Sequence, residues 1–396
     1  MNRQAIHSPL IERLILGVML LLALAVRLYR LEAQALWWDE SLSVYRATRD
    51  LGIVLSNTIL IQNLVTVDTL PQLYFVLLNV WVRAAGISEY ALRFFSVFAN
   101  VATLPLIYVL ARRWLNKSAA GVAMGLGTLS PFYVWYAQEA RPYAWVLFWS
   151  TLAIYALTRA LDSRSRVWLI TYLLAATASL YTHYYSLFLL PFHSILIAIA
   201  RRPNLKRAWI WLPILPLISA IFLLPQILAS VAGNVNWGPV FVPLQTILLD
   251  LLNSFSVGVT ADLNAVWWID GVLLIVFILG LFQNLKPQIS NSKSQIWDLR
   301  FGILAFAYLL VPVLGVFVAS FVRPLYQNSR YLISISPAFY LSVAAGITIL
   351  RRRWQWMAIP AIAVYLLGAI ISLNNLYFNP QFGKDDHRGW AASLRE

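Results

Sequence analysis

Four polar clusters interrupt an otherwise apolar chain: Trp37-Trp38-Asp39-Glu40-Ser41, Gln138-Glu139-Ala140-Arg141-Pro142-Tyr143, Tyr181-Thr182-His183-Tyr184-Tyr185, and Arg323 through Arg330-Tyr331. Together they supply carboxylates, guanidiniums, a histidine and many aromatic rings. Arginine forks match phosphate oxygens bidentately and offset charge growing on a leaving phosphate. A carboxylate can draw the proton from a hydroxyl nucleophile. This combination suits attack of an acceptor hydroxyl on an anomeric carbon that carries a lipid phosphate. A phosphate leaves without being protonated, so one carboxylate suffices, whereas glycoside hydrolysis uses two flanking the bond. Attack opposite the phosphate inverts the configuration.

The elements that must carry these clusters are legible in the composition. Of 396 residues, 60% are hydrophobic and 12% charged, about half the charge of ordinary soluble domains. A water-soluble enzyme is thereby excluded. The absence of Cys excludes a disulfide scaffold and a thiolate-bound metal. Apolar runs predict an all-α, polytopic membrane protein of about eleven helices, near 14–33, 91–111, 118–138, 142–160, 167–184, 186–200, 208–228, 263–285, 300–320, 332–350 and 355–375. Residues 1–375 then form a transmembrane domain with outer loops at 34–90 and 229–262, and 376–396 form a short outer tail. The apolar stretch Leu70 to Ala85 is too short for a span and reads as a juxtamembrane helix.

With this division, 18 of the 30 Lys and Arg fall on one side, opposed only by Glu12, Asp162 and Asp298. That asymmetry predicts a cytosolic amino terminus and an outer carboxyl terminus. It also explains the net charge of +14 without nucleic acid. The first run, Leu14 to Val26, lacks a small-residue cleavage site and reads as a retained signal-anchor. Lys286 to Gln295 reads as a polar cytosolic loop. All four polar clusters share the outer side.

Each cluster also admits a plainer reading. Asp39 can N-cap a helix beginning at Glu40. Glu139 and Arg141 can brace a tight turn as an ion pair. His183 reads as a hydrogen-bonded interfacial residue. Arg27, Arg30, Arg323 and Arg330 can snorkel to headgroups. The Trp37-Trp38 and Trp267-Trp268 pairs suit a membrane-interface belt.

At these residues the sequence resembles the polyprenyl-phosphate-sugar-dependent glycosyltransferases of the GT-C superfamily. It is similar to family 39-like bacterial members related to protein O-mannosyltransferases and the lipid A aminoarabinose transferase. The likeness is carried by Leu36 to Ser41, Leu70-Pro71-Gln72-Leu73-Tyr74, Ala91-Leu92-Arg93-Phe94-Phe95-Ser96, Ser130-Pro131 through Tyr143, Tyr181 to Tyr184, and Ser329-Arg330-Tyr331-Leu332. The resemblance implies Asp39 as catalytic base with Glu40 beside it. It implies Glu139 as a second acidic position near donor or metal, and Arg330 at the donor phosphate. Arg93 and Arg141 are helpers, with Tyr143, His183, Tyr184 and Tyr331 completing the substrate-binding set.

Two departures stand out. Relatives often carry His or Pro where this chain has Leu70 and Gln72, and many continue into an outer domain after a segment like Lys384 to Trp390, where this chain stops at Glu396. A divalent metal ion is left open, with Asp39 and Glu139 as the ligands if one is used. Carboxylates at 39 and 40 point about 100° apart on a helix, so they cannot chelate as a pair unaided.

The expected activity is transfer of a sugar from a polyprenyl-phosphate donor to a lipid, glycan or protein acceptor at the outer face of a bacterial plasma membrane. Membrane lipids are the other expected partners. A transporter or flippase of a lipid-linked sugar would need a polar path through the midplane, and the span centres carry almost no charge. A non-catalytic assembly subunit would tolerate loss of both Asp39 and Glu139. Neither the sugar nor the acceptor can be read from the chain.

Overall fold

The computed structural model describes residues 9–61, 64–67, 70–163, 165–199, 207–225, 228, 240–282 and 295–385. The loop at 286–294, the start of the second outer loop and the end of the tail lie outside them. The α-helices are α1 (Pro9–Leu28), α2 (Trp38–Ala47), α3 (Leu51–Leu55), α4 (Leu73–Ala85), α5 (Glu89–Trp114), α6 (Lys117–Leu129), α7 (Pro131–Ala137), α8 (Tyr143–Ser163) and α9 (Arg166–Thr182). They continue with α10 (Leu190–Ile199), α11 (Ile214–Ser219), α12 (Leu244–Ser256), α13 (Leu263–Leu281), α14 (Gln295–Ala319), α15 (Ser336–Arg353) and α16 (Ala358–Phe378). Six described segments are long and apolar enough to cross a membrane: 89–114, 143–163, 263–281, 300–319, 329–353 and 355–378. The all-α expectation needs one addition. An antiparallel pair of strands, β1 (Thr58–Ile61) and β2 (Leu64–Val67), sits in the first outer loop with Thr58 opposite Val67.

Proline accounts for the places where expected spans are broken. The run at 118–138 is two helices, because Pro131 starts α7 and holds Ser130 in an extended conformation. The Ser130 hydroxyl caps α7 by accepting from the Tyr133 N–H at 3.1 Å, and it also bonds the Tyr340 hydroxyl at 2.6 Å. The run at 208–228 is cut around Pro213 and Pro216 into short pieces, 207–211, Ile214–Ser219 and 220–223.

Arg27 corrects the snorkelling expectation. It is fully buried. Its guanidinium donates to Asn100 Oδ1 at 2.7 Å and to the carbonyls of Thr128 at 2.9 Å and Gly127 at 3.0 Å. The break at Ser130 leaves those carbonyls without helical partners, and a cation at a helix C-terminus satisfies them. One side chain thus ties α1 to α5 and α6.

The centre of the bundle rests on close approach of α13 and α15. A Cβ added to Gly346 would collide with the Val276 carbonyl, and one added to Gly280 with the Ser342 carbonyl. Small residues permit such backbone contact between membrane helices. Gly346→Val is expected to destabilise the protein by about 1–3 kcal/mol or more, because the obstruction is backbone that cannot swing aside. Thermal melting in detergent measures it, with Gly271→Ala, whose added methyl meets open space, as the silent control.

The two ends of the bundle differ in charge. At one end Glu12 pairs with Arg112 at 3.0 Å and Lys117 at 2.7 Å, close to Arg351 and Arg352. The other end gathers α2, the turns at 138–142 and 183, and the 329–335 turn.

Candidate active site

The architecture of the site begins with a buried brace. Glu40 is fully buried and receives a two-pronged bond from Arg93 of α5, Nε to Oε1 and Nη2 to Oε2, both 2.9 Å. The Ala140 N–H adds a bond at 2.8 Å and Lys384 Nζ one at 3.2 Å. Burial pushes this carboxyl upward, but the Lys384 ammonium and the Arg93 fork outweigh it, so it stays charged below the usual carboxylate range. The remaining Arg93 donors go to the carbonyls of Leu31 and Gln34 at 2.8 Å and Ala35 at 2.9 Å. All five N–H groups of this guanidinium are therefore engaged inside the protein. Arg93, expected as a substrate helper, and Glu40, expected beside the catalytic base, instead pin the loop after α1 onto α5.

That brace aims Asp39 the other way. α2 starts at Trp38, and Asp39 makes no capping bond; instead Oδ2 faces Arg141 Nη2 at 3.5 Å and Arg330 Nη1 at 3.9 Å. Its side chain keeps 25% exposure. Arg141 also donates to the Asp39 carbonyl at 3.0 Å and to Ser43 Oγ at 3.2 Å, which secures α2 against the turn before α8. Arg330 is held by its own turn, where Asn328 Oδ1 accepts from the Arg330 N–H at 3.2 Å. Its guanidinium lies 5.3–5.8 Å from the ring centres of Trp37, Tyr143 and Tyr331, within cation–π range. Its buried Nε has no partner.

Glu139 is 2% exposed with Oε2 unpartnered. Burial raises its carboxyl, and the Lys384, Arg330 and Arg141 charges only partly counter this. His183, in the turn after α9, is buried and held neutral: burial first, then Arg141 and Arg330, push it down to about 3. Its Nδ1 accepts from the Tyr185 N–H at 3.3 Å, and its ring sits among Tyr143, Tyr185 and Tyr331.

Tyr185, which closes the third polar cluster but lies outside the expected substrate-binding set, stacks on Tyr331 at 4.9 Å. A cavity of about 490 Å³ opens beside Arg330, lined among others by Trp37, Tyr136, Glu139, Asp250, Asn328 and Lys384. Trp37 faces it while Trp38 is 67% exposed, so the pair expected as belt anchors divides between two roles.

Asp250 and Lys384 were also missed as site residues. The signal for Asp250 was visible, since it ends a charge-free run from Arg207. Lys384 reaches the site because the Lys384 N–H donates to Gln34 Oε1 at 3.0 Å and Nζ to the Gln138 carbonyl at 3.0 Å. A metal fits poorly at Asp39: two guanidiniums already face it, and among the described residues no three His, Cys, Asp or Glu side chains could share an ion.

Residues 70–228 match the family described as dolichyl-phosphate-mannose-protein mannosyltransferase. No curated protein matches the chain in sequence. Among solved structures, ArnT from Cupriavidus metallidurans in the apo state superposes with a TM-score of 0.63 at 14% identity, over 96% of this chain and 78% of that one.

The fold is that of ArnT.

The same ArnT bound to undecaprenyl phosphate matches with a TM-score of 0.55 at 16% identity, over 88% of this chain. The oligosaccharyltransferase AglB from Archaeoglobus fulgidus, in complex with an inhibitory peptide and a dolichol-phosphate, matches at 0.51 and 12% identity over 98% of this chain. The chain spans 62% and 58% of those two proteins' lengths.

Proposed function

We propose that this protein transfers a sugar from a polyprenyl-phosphate donor to an acceptor hydroxyl, on the side of the membrane opposite the basic loops. The observation that carries the reading is the meeting of Asp39 and Arg330 beside the cavity, from positions far apart in the chain. Arg330 takes the donor phosphate, for which its unpartnered Nε and its seat among three aromatic rings leave it directed. Shifting Arg330 onto phosphate frees Asp39 to accept the acceptor's proton. The acceptor oxygen then bonds to the anomeric carbon, the bond from that carbon to the phosphate oxygen breaks, and the phosphate leaves as an anion held by Arg330. Arg141 orients Asp39, and the neutral His183 packs the ring cluster behind it. The reading gains support from the ArnT and AglB structures, which hold undecaprenyl phosphate and dolichol-phosphate respectively.

Mass spectrometry of membranes from cells with and without the gene tests the activity, through loss of one hexose or pentose from a glycoconjugate. Arg330→Ala is expected to weaken binding of undecaprenyl phosphate by about 10- to 150-fold, the worth of a charge-assisted hydrogen bond. Isothermal titration in detergent measures it, and an unchanged affinity would remove Arg330 from the donor site.

A further inference from the structure

α12 carries Asp250, Asn253 and Ser254 at spacing i, i+3 and i+4, which puts all three on one helical face. The adjoining face holds Ile247, Leu251 and Phe255, which are buried. All three polar residues line the cavity, which Trp37 and Trp135 also line. The polar groups are held in place yet not exhausted. The Tyr326 hydroxyl donates to Asp250 Oδ2, and Ser254 Oγ lies 3.3 Å from Asp250 Oδ1. Ser254 also bonds Ser329 Oγ at 2.7 Å, the residue before Arg330. Asn253 Oδ1 is buried without a partner. Fixed acceptors and aromatic rings lining one cavity suit a pyranose, whose hydroxyls ring its edge and whose C–H groups form its faces. At about 490 Å³ the cavity falls within the 300–1,000 Å³ of small-molecule sites.

We propose that this face of α12 seats the donor's glycosyl group, and that it selects hydroxyl-bearing neutral sugars against uronic acids. The proposal rests on the reading of Arg330 as the phosphate residue. With Arg330 on phosphate and the Lys384 ammonium drawn to Glu40 and Gln138, no other cation among the described cavity-lining residues stands ready to meet a sugar carboxylate beside Asp250. Two unpaired carboxylates in a shared cavity repel, whereas Asp250 and Asn253 can accept from hydroxyls.

The test compares binding of bare undecaprenyl phosphate, its glucosyl, mannosyl and galactosyl forms, and its glucuronosyl form to the full chain in detergent. At least one neutral glycosyl carrier is expected to bind about tenfold tighter than the bare carrier, and the glucuronosyl form no tighter than the bare one. Asn253→Ala should erase the neutral sugar's gain without altering bare-carrier binding, which also certifies that the variant is folded. Asp250→Asn should narrow the gap between neutral and glucuronosyl forms about tenfold. The proposal is overturned if no neutral sugar adds affinity, if the glucuronosyl form binds as well as the neutral ones, or if Asp250→Asn leaves the gap unchanged. Failure of the bare carrier to bind would instead overturn the phosphate assignment on which the proposal stands.

Discussion

Asp39→Asn is expected to lower the transfer rate by about 10²- to 10⁴-fold, the usual contribution of a positioned proton acceptor, while the donor still binds. The substitution keeps the size of the side chain and removes only its charge and basicity. Asp39 is one quarter exposed and makes no capping bond to its helix, so the fold does not depend on its charge. The brace beside it, Glu40 with Arg93, stays intact in this variant. Single-turnover assays with a fluorescent polyprenyl-phosphate sugar separate the two quantities: product formation should all but vanish and donor affinity should persist. Full turnover by the variant would assign the proton to another group, and Glu139, buried with its Oε2 unpartnered, would be the next to test.

The second large effect concerns stability. Arg93→Ala should cost about 3–5 kcal/mol, because it strands the Glu40 carboxylate in the interior and leaves the carbonyls of Leu31, Gln34 and Ala35 without that donor. Arg93→Lys should recover little, since an ammonium cannot reproduce a fork that serves five bonds at once. The expected signature is a lowered melting temperature in detergent together with lost activity. A variant that melts like the parent protein would show that the loop after α1 is held by something else. The pairing of predictions is diagnostic: the neighbouring acids 39 and 40 should fail in different ways, one in rate and one in folding.

That contrast also marks how far the sequence could be read. The bundle was legible because a long apolar run has few alternatives to a membrane helix. Its breaks follow from Pro131, Pro213 and Pro216. The angular offset of residues 39 and 40 follows from helix geometry, but which of them is buried depends on where α5 places Arg93, more than 50 positions later. Arg27 was misread for a similar reason. Snorkelling is the default for an arginine near a helix end, and only the packed structure brings the open end of α6 against it. Tyr185 shows the finer limit, since nothing in the third cluster's sequence says that this ring stacks on Tyr331. Lys384 lay in a segment already noted for its resemblance, yet nothing local says that it folds back over Glu40.

That return of Lys384 to Glu40, together with the bond between its backbone and Gln34, bears on biogenesis. Nascent membrane proteins are threaded into the bilayer from the front, and here the last plank of the reaction chamber emerges hundreds of residues after the first. A chain made only as far as α16 therefore has an open chamber, with Glu40 held by Arg93 and the Ala140 N–H but lacking the Lys384 ammonium. It should not yet consume scarce lipid-linked precursors, so synthesis as far as Lys384 becomes the licence to act.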